Sequence, residues 1–458
     1  MQHKTRLAAA LAAMAWLTSS AASADVVTEW NLEAIDTGRR LALGPNPASR
    51  AVAIVHIAIH DAVVAVTHTA EPYRPGLVAD PDTSLDAAVA AAAYTALIVL
   101  FPQQAGDLDR AYDHSLAAIP DGAPKDRGIV LGRASAGAIL AVRATDKSGA
   151  TETYAGSTAL GLWRPTPLAN ATATPLAASV PHWRSVTPFA LTSPSQFRAP
   201  APPALTSTAY ATAYNEVKDL GRIDSTTRTA EQTAIARFWV QQTHIPFNAA
   251  ARAVSLVKHL TLVQNARLFA LLNIALADTR ISAWDTKYQY GFWRPITAIA
   301  GRDASTDAGA DAATDAGASY DDGNPATEPD LAWLPLIETP NHPSYSSGHS
   351  ITGAAGARVL ARYFGSDAIS FSLASDSLPG VVRGFSSFSA AAQENADSRV
   401  YGGIHFRFDN EAGLNAGKQV ADEDDGCDCR AAGKAPSAPA SALLSLAGLV
   451  LLRKRRRG

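Results

Sequence analysis

The sequence predicts an all-α protein with a large buried core. Alanine- and leucine-rich stretches with apolar residues at helical spacing make up much of the chain up to about residue 302. No run of alternating apolar and polar residues points to a strand. With 458 residues, 47% of them hydrophobic and 18% charged, the chain can bury a core as one large domain or two.

Residues 25–146 form a first, N-terminal helical region. Its predicted helices run over residues 46–66, 84–101, 103–118 and 125–145. On the first of them, His56, His60 and Asp61 could ligate a metal, because histidines at i and i+4 share a helix face. We favour the other interpretation, in which hydrogen-bonded histidines pack inside an all-α core.

Residues 147–206 break the helical pattern and are predicted to be a packed loop rich in Pro, Thr and Ala. Trp163, Trp183 and Phe189 are spaced along it. Long loops without secondary structure are uncommon in compact domains and are often functional. We expect the aromatic side chains to pack this loop down as a wall of an active-site cleft, with a linker between two halves as the alternative.

Residues 207–425 form a second helical region, which we expect to be catalytic. Helical periodicity continues to about residue 302, and Pro295 predicts a new helix start or a kink. Residues 303–328 are an acidic low-complexity insertion with aspartates every four residues. These carboxylates could bind Ca²⁺, but they lack the EF-hand spacing, and a solvated insertion is the favoured interpretation.

After the insertion, Ser346-Ser347 opens a helix that has Gly348 and His349 in its first turn. A serine caps such a helix, and the free N–H groups of the first turn attract an oxyanion. A further helix is expected from about residue 386 to 399, followed by a glycine turn at 402–403. His405 would start or just precede the last helix.

Three short blocks in this region carry the candidate chemistry. They are KYQYGFWRP (287–295), SGH (347–349) and SRVYGGIH (398–405). Their lysine, two arginines, serine, glycine N–H and two histidines suit a tetrahedral or trigonal-bipyramidal oxyanion. One histidine can bond the central atom while the other moves a proton. Each block alone is common, and a lysine and an arginine seven apart could form an ion-paired helix surface. Together, in this order, they predict one buried oxyanion site.

These blocks resemble the signature K-x6-RP, PSGH and SR-x5-H of the vanadium-dependent haloperoxidases and of the type 2 phosphatidic-acid-phosphatase superfamily that contains them. The segments WDTKYQYGFWRPITAI, DDGNPATEPDLAWLPLIETPNHPSYSSGHS and FSSFSAAAQENADSRVYGGIHFRFDNEAG look like the bacterial haloperoxidase branch. Upstream, GLWRPTP, HWRSVTPFAL and AVAIVHIAIHDAVVAV extend the resemblance to about residues 27–421. It implies two four-helix-bundle-like halves around the buried oxyanion site.

The resemblance also implies a role for each matching residue. Vanadate would be bound by Lys287, Arg294, Ser347, the Gly348 N–H, Arg399 and His405. His405 would be the ligand to the vanadium, His349 the acid–base histidine, and Lys287 the residue that polarises peroxide.

Two further positions match the halide region of the family. Trp284 matches a tryptophan of the fungal chloroperoxidases, whereas His342 matches a histidine of the algal bromoperoxidases. Halide choice therefore stays open. Ser346 departs from the usual proline of PSGH, which removes no ligand.

The expected activity is vanadate-dependent oxidation of iodide or bromide, in preference to chloride, by H₂O₂ to a hypohalous species that halogenates a small organic acceptor. The alternative is a secreted acid phosphatase, in which His405 forms a phosphohistidine and phosphate takes the place of vanadate. An inactive surface or binding protein is the second alternative. The body has no membrane-spanning pattern of the kind found in lipid phosphatases, and soluble acid phosphatases are much shorter.

Both termini read as processing signals. Residues 1–24 have a basic start, an apolar stretch and a small-residue cleavage site, which predicts a signal peptide. Residues 426–458 combine Gly426-Cys427, a short apolar stretch and an arginine-rich end, like a MYXO-CTERM sorting tail. We therefore expect export to the periplasm or the cell surface and outer membrane, with a lipid anchor on Cys427 after processing and no other membrane contact.

Charge and cysteine content restrict the partners further. The formal net charge is −3, and because both termini are basic, the body between them is acidic. An acidic body argues against nucleic acid as a partner. Both cysteines lie in the tail, so the body has no disulfide to form. The oligomeric state stays open.

Overall fold

The computed structural model describes residues 25–166, 176–301 and 322–426, and the all-α prediction is confirmed. Its helices are α1 (Val26–Arg40), α2 (Pro45–Thr67), α3 (Leu85–Leu100), α4 (Ala105–Ala117), α5 (Ala123–Arg143), α6 (Thr208–Leu220), α7 (Ala230–Phe238), α8 (His244–Val257), α9 (Leu262–Tyr290), α10 (Pro295–Ala300), α11 (Gly348–Tyr363), α12 (Phe388–Tyr401) and α13 (Arg407–Gly426). Short 3-10 turns lie at Pro102–Gln104 and Pro181–Ser185.

One small sheet is present in the fold that the sequence predicts to be nearly all-α. Strands β1 (Phe371–Ala374) and β2 (Val382–Phe385) pair antiparallel, with Phe371 opposite Phe385. Each strand has four residues, which is too short to show the alternation that identifies a strand in a sequence. The hairpin lies at the edge of the core, where the Phe371 ring stacks on Phe388 with centroids 5.3 Å apart.

Helix α9 is shared by the two halves of the fold. In the first half it packs on α2, which also packs on α3 and α5; in the second it packs on α11 and α13. Helix α2 is apolar on almost every face, and it has the length and composition of a membrane span. It is nevertheless buried inside the core. The chain therefore places one long central helix between two groups of helices.

The ends of α9 follow from local sequence. Thr261 and Gln264 form a capping box at its start, and Gly291, with φ of 56°, ends it. Arg294 then caps α10, whose first residue is Pro295. The lysine and first arginine of the site therefore lie on either side of a sharp turn and not on one helix face.

Close packing of α13 on α11 sets the position of the last block. A Cβ on Gly417 would lie 2.1 Å from the Ile351 carbonyl oxygen, and one on Gly413 would lie 2.8 Å from that of Ser347. Only glycine permits so close an approach. The approach brings the start of α13 to the first turn of α11, where the Ser347 N–H donates to the Asp409 carbonyl at 3.0 Å.

The aromatic residues of the 147–206 loop are buried in its described part, with Trp163 and Phe189 at 0% exposure and Trp183 at 2%. The carboxylate of Asp278 on α9 accepts three backbone N–H groups from residues 189–191, at 2.7 to 3.0 Å. The loop is thus fastened to the central helix.

The candidate metal cluster on α2 is divided among different partners. His56 Nε2 lies 2.8 Å from the Asn31 amide, and Asp61 accepts the backbone N–H groups of Tyr73 and Arg74. His60 Nε2 lies 3.3 Å from the Glu71 carbonyl. These contacts fit the interpretation of hydrogen-bonded core residues.

The last residues of the predicted acidic insertion, which lie within the described part of the chain, are partly packed. Asp322 and Asn324 are buried, and the Asn324 amide donates to the carbonyls of Leu205 and Ser207 before α6. The remainder of the insertion, the signal peptide and the tail with Cys427 lie outside the described residues.

Candidate functional site

Arg294 connects the three sequence blocks. Its Nε donates to the His342 carbonyl at 2.8 Å, just ahead of the second block. Its Nη1 donates to the Ile404 carbonyl at 2.7 Å and lies 3.1 Å from His405 Nε2, in the third block. The guanidinium is fully buried, and burial lowers its pKa to about 9. Arg294 therefore fixes the relative positions of α10, the segment that precedes α11, and the turn between α12 and α13.

Lys287 is held by backbone carbonyls at the same site. Its Nζ donates to the carbonyls of Pro343 and Ser344 at 2.8 and 2.7 Å, and the residue is 0% exposed. Burial, and then the charge of Arg294, lower its pKa well below the ordinary value of lysine. The ammonium is thus oriented without being neutralised by a partner of opposite charge.

Arg399 supplies the third predicted cation. Its Nη1 donates to the Trp239 carbonyl at 2.8 Å, while its buried Nε has no hydrogen-bond partner in the described chain. Burial, and then Arg294, lower its pKa to about 9. A buried N–H without an acceptor is unusual, and an anion placed beside it would satisfy it.

The hydrogen bonds of His405 define its tautomer. Arginine only donates, so Nε2 accepts from Arg294 and the proton lies on Nδ1. Nδ1 then donates to Asp409 Oδ2 at 2.8 Å, and that oxygen also accepts from the Ser344 hydroxyl and the Phe406 N–H. The lone pair on Nε2 faces the cations, which is the arrangement a metal ligand needs.

His349 has the opposite pattern. Its Nε2 lies 3.2 Å from the Gln241 carbonyl, which only accepts, so Nε2 carries the proton. Nδ1 forms no hydrogen bond to any described residue and keeps its lone pair. Burial, and then the charges of Arg399 and Arg280, lower the pKa of His349 well below 6.5. The imidazole is partly exposed and neutral, and it can accept a proton at Nδ1.

The first turn of α11 presents free donors. The Ser347 hydroxyl caps the helix by accepting from the Ser350 N–H at 3.3 Å. The N–H groups of Gly348 and His349 have no acceptor within the described ranges, as expected for a helix start. A Cβ on Gly348 would lie 3.4 Å from Arg280 Nη1 and within 4.0 Å of Lys287 Cε, so this glycine keeps the cations close to the helix start.

Trp284 and His342 form one wall beside these groups. Their ring centroids are 4.9 Å apart, and the indole N–H donates to the Ser179 carbonyl at 3.2 Å. His342 Nδ1 lies 2.9 Å from Arg294 Nη2 and 3.2 Å from the Pro343 carbonyl. Because arginine only donates, the shorter contact makes Nδ1 an acceptor. The predicted halide residues are thus in contact with each other and with the site.

Two residues at the site, Asp409 and Arg280, were not predicted from the sequence. Asp409 is four residues after His405, a spacing that places both on one face of a helix start, and burial raises its pKa to about 6. Arg280 is seven residues before Lys287 and two turns away on the same face of α9. Both spacings are visible in the sequence, but neither belongs to the three blocks.

The structure brings together all nine sequence-predicted site residues, and their charge suits an anion. Asp409 is the one carboxylate in the described chain that raises the pKa of any cation here, and it acts on Lys287 and Arg294 only. The buried Ser346 hydroxyl also lacks a partner among the described groups. Buried cations with unsatisfied donors around a histidine lone pair fit a vanadate or phosphate ion.

This chain is similar to vanadium chloroperoxidases. A family model, the second helical-bundle domain of vanadium chloroperoxidase, matches residues 267–424. Vanadium chloroperoxidase of Curvularia inaequalis is 28% identical over 193 residues, which cover 32% of this chain and 28% of that enzyme. Residues 267–424 are therefore similar to the second helical-bundle domain of vanadium chloroperoxidase. The match spans less than a third of the fungal enzyme, so it does not by itself assign that enzyme's activity to this chain.

Solved structures establish the fold over a longer part of the chain. A bacterial vanadium-dependent iodoperoxidase superposes with a TM-score of 0.72 at 24% identity, covering 88% of this chain and 95% of that one. An apo-type bacterial vanadium-dependent chloroperoxidase gives 0.65 at 17%, covering 85% and 95%. The haloperoxidase fold therefore extends beyond the matched domain into the first helical region.

Proposed function

We propose that this protein is a vanadate-dependent haloperoxidase, which uses H₂O₂ to oxidise iodide or bromide, in preference to chloride, to a hypohalous species. The observation that carries the proposal is the set of buried cations around the His405 Nε2 lone pair, with donors left unsatisfied and one carboxylate among them. Such an arrangement is unfavourable without a bound anion. The acceptor of the halogen would be a small organic molecule.

Vanadate fits the residues present. Lys287, Arg294, Arg399, the Ser347 hydroxyl and the Gly348 N–H would hold its oxygens, and His405 would ligate the vanadium. When bound, vanadate would supply a Lewis acid that activates peroxide without changing oxidation state.

The chain's own groups orient the reactants and move protons. Asp409 keeps the proton of His405 on Nδ1 and so keeps Nε2 available. Lys287 would donate to peroxide oxygen and polarise it, since its ammonium is held in place by two carbonyls. His349 would take a proton from peroxide at Nδ1, because its Nε2–H is committed to Gln241.

The side chains of Trp284 and His342 beside the site favour the proposal of iodide or bromide as substrate. The His342 imidazole lies against Trp284 at the position where the resemblance gives the algal bromoperoxidases a histidine. Iodide and bromide are also easier to oxidise than chloride. A structural relative that covers 88% of this chain is named an iodoperoxidase.

The phosphatase alternative would use the same residues, with His405 as the nucleophile and His349 protonating the leaving group. The relatives found favour the peroxidase, since each is named as a vanadium peroxidase. Export to the periplasm or cell surface, with a lipid anchor at Cys427, is part of the proposal and is supported by the terminal sequences.

The test is a paired assay of the purified protein. Reconstituted with orthovanadate, it is expected to oxidise iodide and bromide faster than chloride with H₂O₂. His405→Ala should abolish this activity, whereas His114→Ala, which changes an exposed histidine of α4, should leave it unchanged. If the vanadate-free protein instead hydrolyses p-nitrophenyl phosphate and no halide is oxidised, the peroxidase proposal is wrong.

A further inference from the structure

Arg280 is a buried arginine beside the oxyanion site that has no role in the proposed chemistry. It is 2% exposed, and its Nη1 donates to the Gly348 carbonyl at 3.3 Å. Its Nε and Nη2 have no hydrogen-bond partner among the described residues. No carboxylate of the described chain pairs with it, and burial lowers its pKa to about 10. Isolated guanidinium groups in a protein interior are strongly unfavourable unless a ligand neutralises them.

The position of Arg280 differs from that of the groups that would hold vanadate. In an α-helix the carbonyls point toward the C-terminus and the N–H groups toward the N-terminus. Arg280 binds the carbonyl of Gly348, whereas the free N–H groups of Gly348 and His349 point the other way. Arg280 therefore lies on the side of the first turn of α11 that faces away from these free N–H groups.

Two neighbours show that this side still borders the reaction site. From the position that a Cβ would take on Gly348, Arg280 Nη1 is 3.4 Å away and the Trp284 ring is 3.7 Å away. The charge of Arg280 also acts on His349, the proposed base. Arg280 thus lies close to the indole wall, and its charge reaches the proton-accepting imidazole.

Charge balance indicates which ligand Arg280 takes. Lys287, Arg294 and Arg399 already surround the oxyanion, and Asp409 partly offsets two of them. A doubly charged oxyanion together with Asp409 balances these three cations and leaves Arg280 uncompensated. A small monovalent anion completes the balance.

We propose that Arg280 binds the halide substrate through its free Nε–H and Nη2–H groups, next to Trp284 and His349. This inference rests on the proposed peroxidase function for the identity of the anion. The geometry itself requires only a monovalent anion. Arg280 would then determine halide affinity, while the oxyanion cradle determines vanadate affinity.

Kinetics and binding of variants of the full-length protein test this division. Arg280→Met removes the charge and keeps most of the stem, Arg280→Lys keeps the charge, and Arg358→Met is the matched control on the surface of α11. Arg280→Met is expected to raise the KM for iodide by roughly tenfold or more, because at least one charge-assisted hydrogen bond to the halide is lost. Arg280→Lys should recover part of this loss, and Arg358→Met should show none.

Vanadate affinity separates the proposal from the nearest alternative. Equilibrium dialysis with metal analysis is expected to give Arg280→Met a vanadate Kd within about threefold of wild type, with kcat at saturating iodide and KM for H₂O₂ equally close. A weaker vanadate Kd with an unchanged iodide KM would make Arg280 a ligand of the oxyanion and overturn the proposal. No change in either constant would make it a structural residue and overturn it too.

Bromide soaks keep the inference testable if the variants do not fold or if no halide is oxidised. Crystals of the wild-type protein in sodium bromide should show anomalous scattering beside Arg280 Nε and Nη2, and a folded Arg280→Met protein should lack it. A peak without halide oxidation would support the anion site while the peroxidase function fails. Absence of a peak at Arg280 in the wild-type protein would overturn the inference, whatever the activity.

Discussion

Three buried histidines outside the site predict that the protein loses stability in mild acid. His56, His60 and His244 are at most 2% exposed. Burial is the main cause that lowers their pKa values, to about 3 for His56, about 4 for His60 and about 3 for His244. In the unfolded chain each imidazole titrates near 6.5.

The sign follows from proton binding. Below pH 6.5 the unfolded chain binds a proton at each histidine and the folded chain does not, so unfolding takes up protons. The stabilisation is fully present above pH 6.5 and is lost as the pH falls toward the folded pKa. Between pH 7 and pH 5 each histidine should remove about 2 kcal/mol from the free energy of unfolding.

Buried carboxylates, Asp61 and Asp409 among them, oppose this trend. Burial raises the pKa of Asp61 to about 7, so the folded chain takes up a proton that the unfolded chain does not. This contributes about 2 kcal/mol in the opposite direction over the same pH range. Total stability is therefore a poor measure of any one histidine, and a variant comparison is needed.

His56→Gln isolates a single group. Glutamine can still accept from the Asn31 amide, which lies 2.8 Å from His56 Nε2, but it does not titrate. Urea unfolding at pH 7, 6 and 5, followed by tryptophan fluorescence, gives the free energy of unfolding of both proteins. The wild-type advantage over the variant should shrink by about 2 kcal/mol from pH 7 to pH 5.

An exposed histidine supplies the control. The difference between wild type and His114→Gln should stay constant with pH, because His114 is exposed in α4. If the wild-type advantage over His56→Gln also stays constant within about 0.5 kcal/mol, His56 is not held neutral in the folded protein. The assignment of a hydrogen-bonded, uncharged core histidine would then be wrong.

Two site variants should separate binding from turnover. His349→Ala is expected to keep vanadate affinity but to lower kcat by about 10²–10⁴-fold, since general-base catalysis contributes that range; an unchanged kcat, or a lost vanadate affinity, would contradict its role as base. Asp409→Asn should weaken vanadate binding about 10–100-fold, because the partner that fixes the His405 tautomer is lost. Asp422→Asn on the surface of the same helix is its control. If Asp409→Asn binds vanadate as tightly as the wild type or more tightly, loss of the negative charge outweighs loss of the imidazole orientation.

Much of the site could be predicted from the sequence because its residues lie at helix ends. Ser347 is the cap of α11 and Pro295 is the first residue of α10, as their residue types predict. The three blocks therefore lie at helix ends in the fold, as their sequences predict. The alternative in which Lys287 and Arg294 form an ion-paired surface on one helix does not apply, since Gly291 ends α9 between them.

Other parts depend on tertiary packing and have no local signal. The carbonyls of Trp239 and Gln241 hold Arg399 and His349, but any residue type could supply a backbone carbonyl. Asp409 and Arg280 had a helical spacing to site residues, but many polar side chains have such a spacing by chance. Their importance becomes visible only when burial and missing partners are known.

The way in which the four site cations are held explains why the site should bind anions strongly. Each donates to main-chain carbonyl oxygens: Lys287 to those of Pro343 and Ser344, Arg294 to those of His342 and Ile404, Arg399 to that of Trp239, and Arg280 to that of Gly348. A carbonyl orients a cation but leaves its net charge in place, whereas a carboxylate would cancel it. The folded helices fix these carbonyls, so the energetic cost of burying the cations is met when the protein folds and not when the anion arrives. An incoming oxyanion or halide therefore meets donors that are already positioned and dehydrated, and this preorganisation is what the two packed halves of the fold provide.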